Sequence, residues 1–127
     1  MAFALDRLGA KVCVFNRTLE RARELALRHG FDFAFLDATA QERVRQYSDL
    51  IVQSTSVGLG STNPDDDPIA FYRFGGHEMV YDLIYSPELT PLLKRAKSAG
   101  CKVENGFSML LAQAADQRAI YQNCCGE

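Results

Sequence analysis

An α/β fold, with a mainly parallel sheet wound on both faces by helices, is what this sequence of 127 residues predicts. Three observations carry the prediction. Short apolar, β-branched runs alternate with helical segments along the whole chain. The clearest of those runs are apolar on both parities, as strands are when both faces are covered. Two of the helical segments, 18–30 and 90–100, open on Thr and close on Gly, the second with Pro at its first helical position.

The elements follow in order. "MAFALDRLGAK" (1–11) reads as the middle and end of a helix. "KVCVF" (11–15) is a strand covered on two faces. "TLERARELALRHG" (18–30) is a helix with Thr18 as N-cap, Glu20 near its positive end and Gly30 at C′. Leu19, Ala22, Leu25 and Ala26 line one of its faces. "FDFAFL" (31–36) alternates and reads as a strand near an edge. "TAQERVRQY" (39–47) is a short helix and "DLIVQST" (49–55) another buried strand. "GLGSTNPDDDP" (58–68) is a loop, with Asp65, Asp66 and Asp67 expected in solvent. A strand lies within "HEMVYDLIY" (77–85). "TPLLKRAKSAG" (90–100) is a helix with Thr90 as N-cap, Pro91 at its first position and Gly100 beyond its end. "CKVE" (101–104) is a short strand, and "FSMLLAQAADQRAIYQN" (107–123) a long helix with a broad apolar face.

Composition bounds what such a fold can do. The chain is 47% hydrophobic and 24% charged, with a formal net charge of −2. That suits one domain over residues 1–127 with a real core. The acidic balance argues against a general nucleic-acid binder. No apolar run reaches membrane-spanning length, and the start has no signal-peptide pattern, so no membrane partner is expected. Cys13 and Cys101 lie in strand runs as small apolar groups. Neither a CxxC pair nor histidine at ligand spacing accompanies them or Cys124 and Cys125, so no metal is expected and reduced thiols suit a cytoplasmic protein.

In a parallel sheet, ligands bind at the carboxyl ends of the strands. The strand at 11–15 ends on neutral Asn16, followed by Arg17, Thr18 and, one turn on, Arg21. Where an acid would bond the adenosine ribose of NAD, a 2′-phosphate wants guanidinium donors, a hydroxyl and helix N-terminal amides. The stretch therefore reads as a preference for NADP. The same residues also suit an ordinary solvated helix start. No glycine-rich turn precedes residue 11, so the first strand and the pyrophosphate turn of a dinucleotide fold are expected to be lacking here.

Four segments, "NRTLERARELA" (16–26), "STSVGL" (54–59), "YDLIYSPELTPLLKRAKSAG" (81–100) and "NGFSMLLAQAADQ" (105–117), come in the order and spacing of shikimate dehydrogenases. The chain resembles their Rossmann-like, NADP-binding carboxyl-terminal domain over essentially its whole length. The D-x-x-Y-x-P-x-x-T-P-L-L run followed by G-x-x-M-L-x-x-Q is the most specific part. The resemblance implies that Asn16, Arg17, Thr18 and Arg21 surround the 2′-phosphate. It implies that Thr55 and Ser56 stand beside the cofactor ribose, that Leu83 and Gly106 approach the nicotinamide through backbone, and that Met109 packs at its ring. Tyr85 and Gln113 are implied to reach the substrate. Gln53 stands where the family usually has asparagine, so that corner is expected to be looser or differently bonded.

Without the motif, Tyr85 suits the cap of an apolar edge, Gln113 a solvated helix face, Met109 the core and Gly106 a simple helix entry. The family reaction is reversible hydride transfer between NADPH and the ketone of 3-dehydroshikimate, giving shikimate. Its proton-transfer lysine and aspartate lie in a separate amino-terminal domain, which the resemblance does not cover. No catalytic residue is therefore assigned, and the chain alone is expected to be inactive. A quinate or shikimate dehydrogenase of other cofactor preference, and a non-catalytic nucleotide-binding or interaction module, are the alternative readings. Loss of a central strand would leave apolar strand edges, which a homodimer could cover.

Overall fold

The computed structural model of the chain describes residues 1–61, 63 and 65–125, the last of these without its side chain. Thr62 and Pro64 of the 58–68 loop lie outside the described residues. The elements are α1 (Ala2–Arg7), β1 (Cys13–Asn16), α2 (Leu19–His29), β2 (Asp32–Phe35), a 3-10 turn (Ala38–Ala40), α3 (Gln41–Gln46), β3 (Leu50–Gln53), β4 (Met79–Asp82), α4 (Pro91–Ser98), β5 (Lys102–Glu104) and α5 (Phe107–Cys125).

The five strands form two parallel sheets, β1–β2 and β3–β4–β5. Among the described residues no strand pairing joins the two sheets. Helix α2 packs on the first sheet and α4 on the second. One core joins them. Val80, Leu92, Leu93 and Ala96 are buried with Tyr72, Ile69, Ala40 and Val44, and Phe15 from β1 and Ile51 from β3 pack against this cluster.

Caps and turns form where the residue types call for them. Gly30 closes α2 in the left-handed region at φ 71°, where a side chain would be strained. Thr90 caps α4, its hydroxyl accepting from the Leu93 amide at 3.3 Å, with Pro91 at the start. Helix α1 touches α2 through Phe3, whose ring lies 5.4 Å from that of His29.

Four expectations need correction. Strand β1 is half-buried along its length, and β3 is too except at Gln53, so neither is the fully covered strand expected; each has a strand neighbour on one side only. Helix α5 buries no broad face: Phe107, Leu110, Leu111, Ile120 and Tyr121 are all exposed. Its apolar residues are spread around the axis, so no single stripe can be laid on the sheet. Asp67 is not in solvent. It is buried, its Oδ2 accepts from Arg95 Nε at 2.7 Å, and that guanidinium also donates to the Ile69 and Tyr72 carbonyls and lies over the Phe74 ring. Thr18 has the extended backbone of an N-cap, yet its side chain makes no cap bond.

Candidate functional site

Parallel pairing brings the loops after β3, β4 and β5 to one edge of the three-stranded sheet. Asn16 ends β1, so the first arginine turn stands at the same end of its own sheet.

At that turn the Thr18 amide donates to Asn16 Oδ1 at 2.7 Å. Asn16 thus bends the chain from strand into helix. The bend leaves the Thr18 hydroxyl without a cap bond at the amino end of α2. Arg17 and Arg21 are exposed. Among the described residues neither makes an ion pair, whereas Arg23 pairs with Glu20 and Arg95 with Asp67. Two uncommitted guanidiniums, a hydroxyl and the positive end of an 11-residue helix make an anion-accepting surface.

The loop after β3 carries Thr55 and Ser56, both exposed. Gln53 is buried, and its amide is turned back onto that loop. Nε2 donates to the Thr55 carbonyl at 3.1 Å and the Val57 carbonyl at 3.0 Å, and Oε1 accepts from the Thr55 amide. The corner at Gln53 is thus held by three hydrogen bonds of its own side chain.

The loop after β4 carries Leu83 and Tyr85. Its organiser is Asp82, fully buried, with Oδ1 accepting from the Ile84 amide at 3.0 Å and Oδ2 from the Thr90 hydroxyl at 2.8 Å. Burial pushes the Asp82 carboxyl up from its ordinary value, against the two hydrogen bonds. The D-x-x-Y-x-P-x-x-T-P motif therefore has a structural reading: its first and ninth residues clasp the loop between them. Tyr85 stands out from this loop, 51% exposed.

Gly106 closes the loop after β5, directly before α5. Its amide donates to the Ile84 carbonyl at 3.1 Å, and a Cβ there would lie 1.9 Å from the Leu83 carbonyl oxygen. Only glycine allows this approach, which brings Leu83 and Gly106 together as backbone. Met109 is half-buried and Gln113 exposed on α5. Neither Tyr85 nor Gln113 makes a side-chain hydrogen bond among the described residues.

A second polar cluster lies at the opposite end of β4. Glu78 is fully buried and accepts from Tyr72 Oη at 2.9 Å, from the Gly75 and Gly76 amides at 2.8 Å each, and from Cys101 Sγ at 3.3 Å. Burial pushes this carboxyl up, but the donors outweigh it and hold it down at about 2. Sequence reasoning missed Glu78, the Asp67–Arg95 pair and the clasp from Asp82 to Thr90. The motif spacing from Asp82 to Thr90 was a usable signal for the last. No motif marks Glu78, whose donors are the preceding Gly75–Gly76 turn, Tyr72 and the distant Cys101.

Parallel strands with candidate residues on the carboxyl-end loops define a Rossmann-like α/β unit. No family model matches the chain. Its relatives supply the family. It is 35% identical over 116 residues to the shikimate dehydrogenase (NADP+) of Bartonella henselae, matching 88% of this chain and 40% of that protein. It is 39% identical over 125 residues to that of Caldicellulosiruptor bescii, 94% of this chain and 42% of that protein. The crystal structure of shikimate dehydrogenase from Aquifex aeolicus superposes with a TM-score of 0.78 at 33% identity, over 98% of this chain and 44% of that one. A shikimate dehydrogenase in complex with NADP+ gives 0.72 at 29%, over 89% and 41%. A quinate dehydrogenase from Corynebacterium glutamicum in complex with NAD gives 0.65 at 28%, over 91% and 42%. The chain is similar to the shikimate dehydrogenases over the part of those enzymes that it matches. It spans about two-fifths of the length of the curated relatives.

Proposed function

We propose that this chain is the NADP-binding part of a shikimate dehydrogenase, an oxidoreductase that interconverts 3-dehydroshikimate and shikimate. The observation that carries the cofactor choice is the turn at Asn16–Arg21, with Arg17 and Arg21 exposed and unpaired among the described residues at the amino end of α2. They suit an adenosine 2′-phosphate. Asn16 shapes their turn, and Thr18 adds its hydroxyl. Thr55 and Ser56 stand to face the ribose. Leu83 and Gly106 offer closely packed backbone to the nicotinamide, with Met109 beside it. Tyr85 and Gln113, exposed and uncommitted, stand to reach the substrate. When bound, the cofactor supplies the hydride chemistry. This chain's residues bind and orient it, while the proton-transfer groups belong to a separate substrate domain. A quinate-oxidising, NAD-using reading has the likeness to the C. glutamicum enzyme in its favour; the two free arginines favour NADP.

The same reading makes 1–127 one nucleotide-binding domain of a cytoplasmic enzyme. Cys13, Cys101 and Cys124 are free thiols, and no helix among the described residues is long and apolar enough to cross a membrane. The open edges of β1 and β3 suit a homodimer. Incubating the pure chain with NADP+ and shikimate should give no NADPH absorbance. Turnover by this chain alone would place the proton-transfer groups within it and overturn the division of labour.

A further inference from the structure

We infer that Gln53 and Asp82 are paired positioning residues: Gln53 fixes the turn that carries Thr55 and Ser56, and Asp82 fixes the loop that carries Leu83 and Tyr85. What the two loops hold rests on the cofactor reading above. How they are held rests on geometry alone.

The two residues are register partners at the carboxyl ends of β3 and β4, and the Leu83 amide donates to the Gln53 carbonyl at 3.0 Å. Both side chains are buried, Gln53 to 5% exposure and Asp82 to 0%. A buried polar group has to find partners inside the protein. Gln53 finds all of its partners in residues 55–57, and Asp82 finds its own in residues 84–90. Each therefore acts on one loop only. Thr90 extends the reach of Asp82 by accepting from the Leu93 amide, which ties the loop to α4.

The choice of side chain follows from what faces it. Residue 53 faces two carbonyls and needs an NH2 group. Residue 82 faces two donors and takes a carboxylate. A carboxylate at 53 would meet two carbonyl oxygens and stand beside the buried charge of Asp82. A neutral amide is thus the group that lets both loops close on adjacent strands.

The test uses the 15N-labelled chain, alone and titrated with NADP+. In the free protein, Gln53→Glu should move the Thr55, Ser56 and Val57 amide signals and leave Ile84 and Leu93 in place. Asp82→Ala should do the reverse. Thr90→Val, which keeps the shape and removes one donor to Asp82, is the milder variant should Asp82→Ala not fold. Gln53→Glu should weaken NADP+ binding about tenfold or more, and Gln53→Asn, which restores an amide, should recover part of that loss. Variants that disturb both loops alike, or a Gln53→Glu chain whose 55–57 signals do not move, would overturn the pairing. A wild-type chain with no NADP+-induced shift at all would instead remove the cofactor reading, and the ligand-free spectra would still decide the pairing.

Discussion

The two sheets are made of strands with similar residues, yet they are held in different ways. In the three-stranded sheet, β4 is flanked on both sides, and Val80, Glu78 and Asp82 are all fully buried. In the two-stranded sheet no residue of β1 is fully buried, a state it shares with Leu50, Ile51 and Val52 of the edge strand β3, and β2 leaves Phe35 44% exposed. Polar locks follow the same division. Glu78, Asp82, Gln53 and the Asp67–Arg95 pair all belong to the larger sheet and its loops, while the smaller sheet rests mainly on α2 packing. An apolar strand is buried by its neighbours, not by its composition. The region proposed to read the cofactor's phosphate is thus the less firmly held of the two.

The largest expected effect comes from breaking the stronger region. Replacing Glu78 with Gln turns an NH2 group toward the Gly75 and Gly76 amides and leaves buried donors unmatched. The chain should lose about 3 kcal/mol of stability, read by urea titration. The pH dependence has a definite sign. The folded-state value of about 2 lies below the ordinary 4.5, so this carboxylate stabilises the fold above the ordinary value. The contribution is lost as pH falls from about 4.5 through about 2, again roughly 3 kcal/mol in all. Glu78→Gln should flatten the stability profile in that window. Asp82 has the opposite sign, since its raised value makes its charge a cost that acid relieves.

A somewhat smaller effect is expected at Gly106. An added methyl must push the β5–α5 loop away from the Leu83 carbonyl, 1.9 Å from the new Cβ. Gly106→Ala should cost about 2 kcal/mol or more and displace the Leu83 and Gly106 amide signals. An unchanged melting temperature would mean that the two backbones do not meet.

The difference between the sheets itself should appear in hydrogen exchange. Amides of β1 should open at a free energy about 1–3 kcal/mol below those of β4 in the monomer. Light scattering over a concentration series should show self-association, with β1 and β3 gaining protection as it proceeds. A monomer at every concentration, with β1 as protected as β4, would show that no open edge exists.

Much of this architecture could be read from the sequence, because the strand and helix periods, the Thr90–Pro91 start and the Gly30 end are local signals. The reading overreached where a partner element decides the outcome. The pattern of β1 announces a covered strand, and only the missing neighbour exposes it. The apolar content of α5 announces packing, but its distribution gives no face. At the site, Leu83 and Gly106 come from two separate motifs and meet as backbone, an approach the spacing did not announce. The buried hydrogen-bond organisers were not visible, because their partners come from loops whose paths no periodicity describes.

The central claim, that the Asn16–Arg21 turn reads a 2′-phosphate, is tested most directly by cofactor selectivity. NADP+ and NAD+ affinities should be measured by calorimetry for the wild-type chain and for Arg17→Ala and Arg21→Ala. A charge-assisted guanidinium–phosphate contact is worth roughly 1.5–3 kcal/mol. Each substitution should therefore weaken NADP+ by about tenfold to a hundredfold and leave NAD+ almost unchanged. Equal losses for both cofactors, or none for either, would contradict the account.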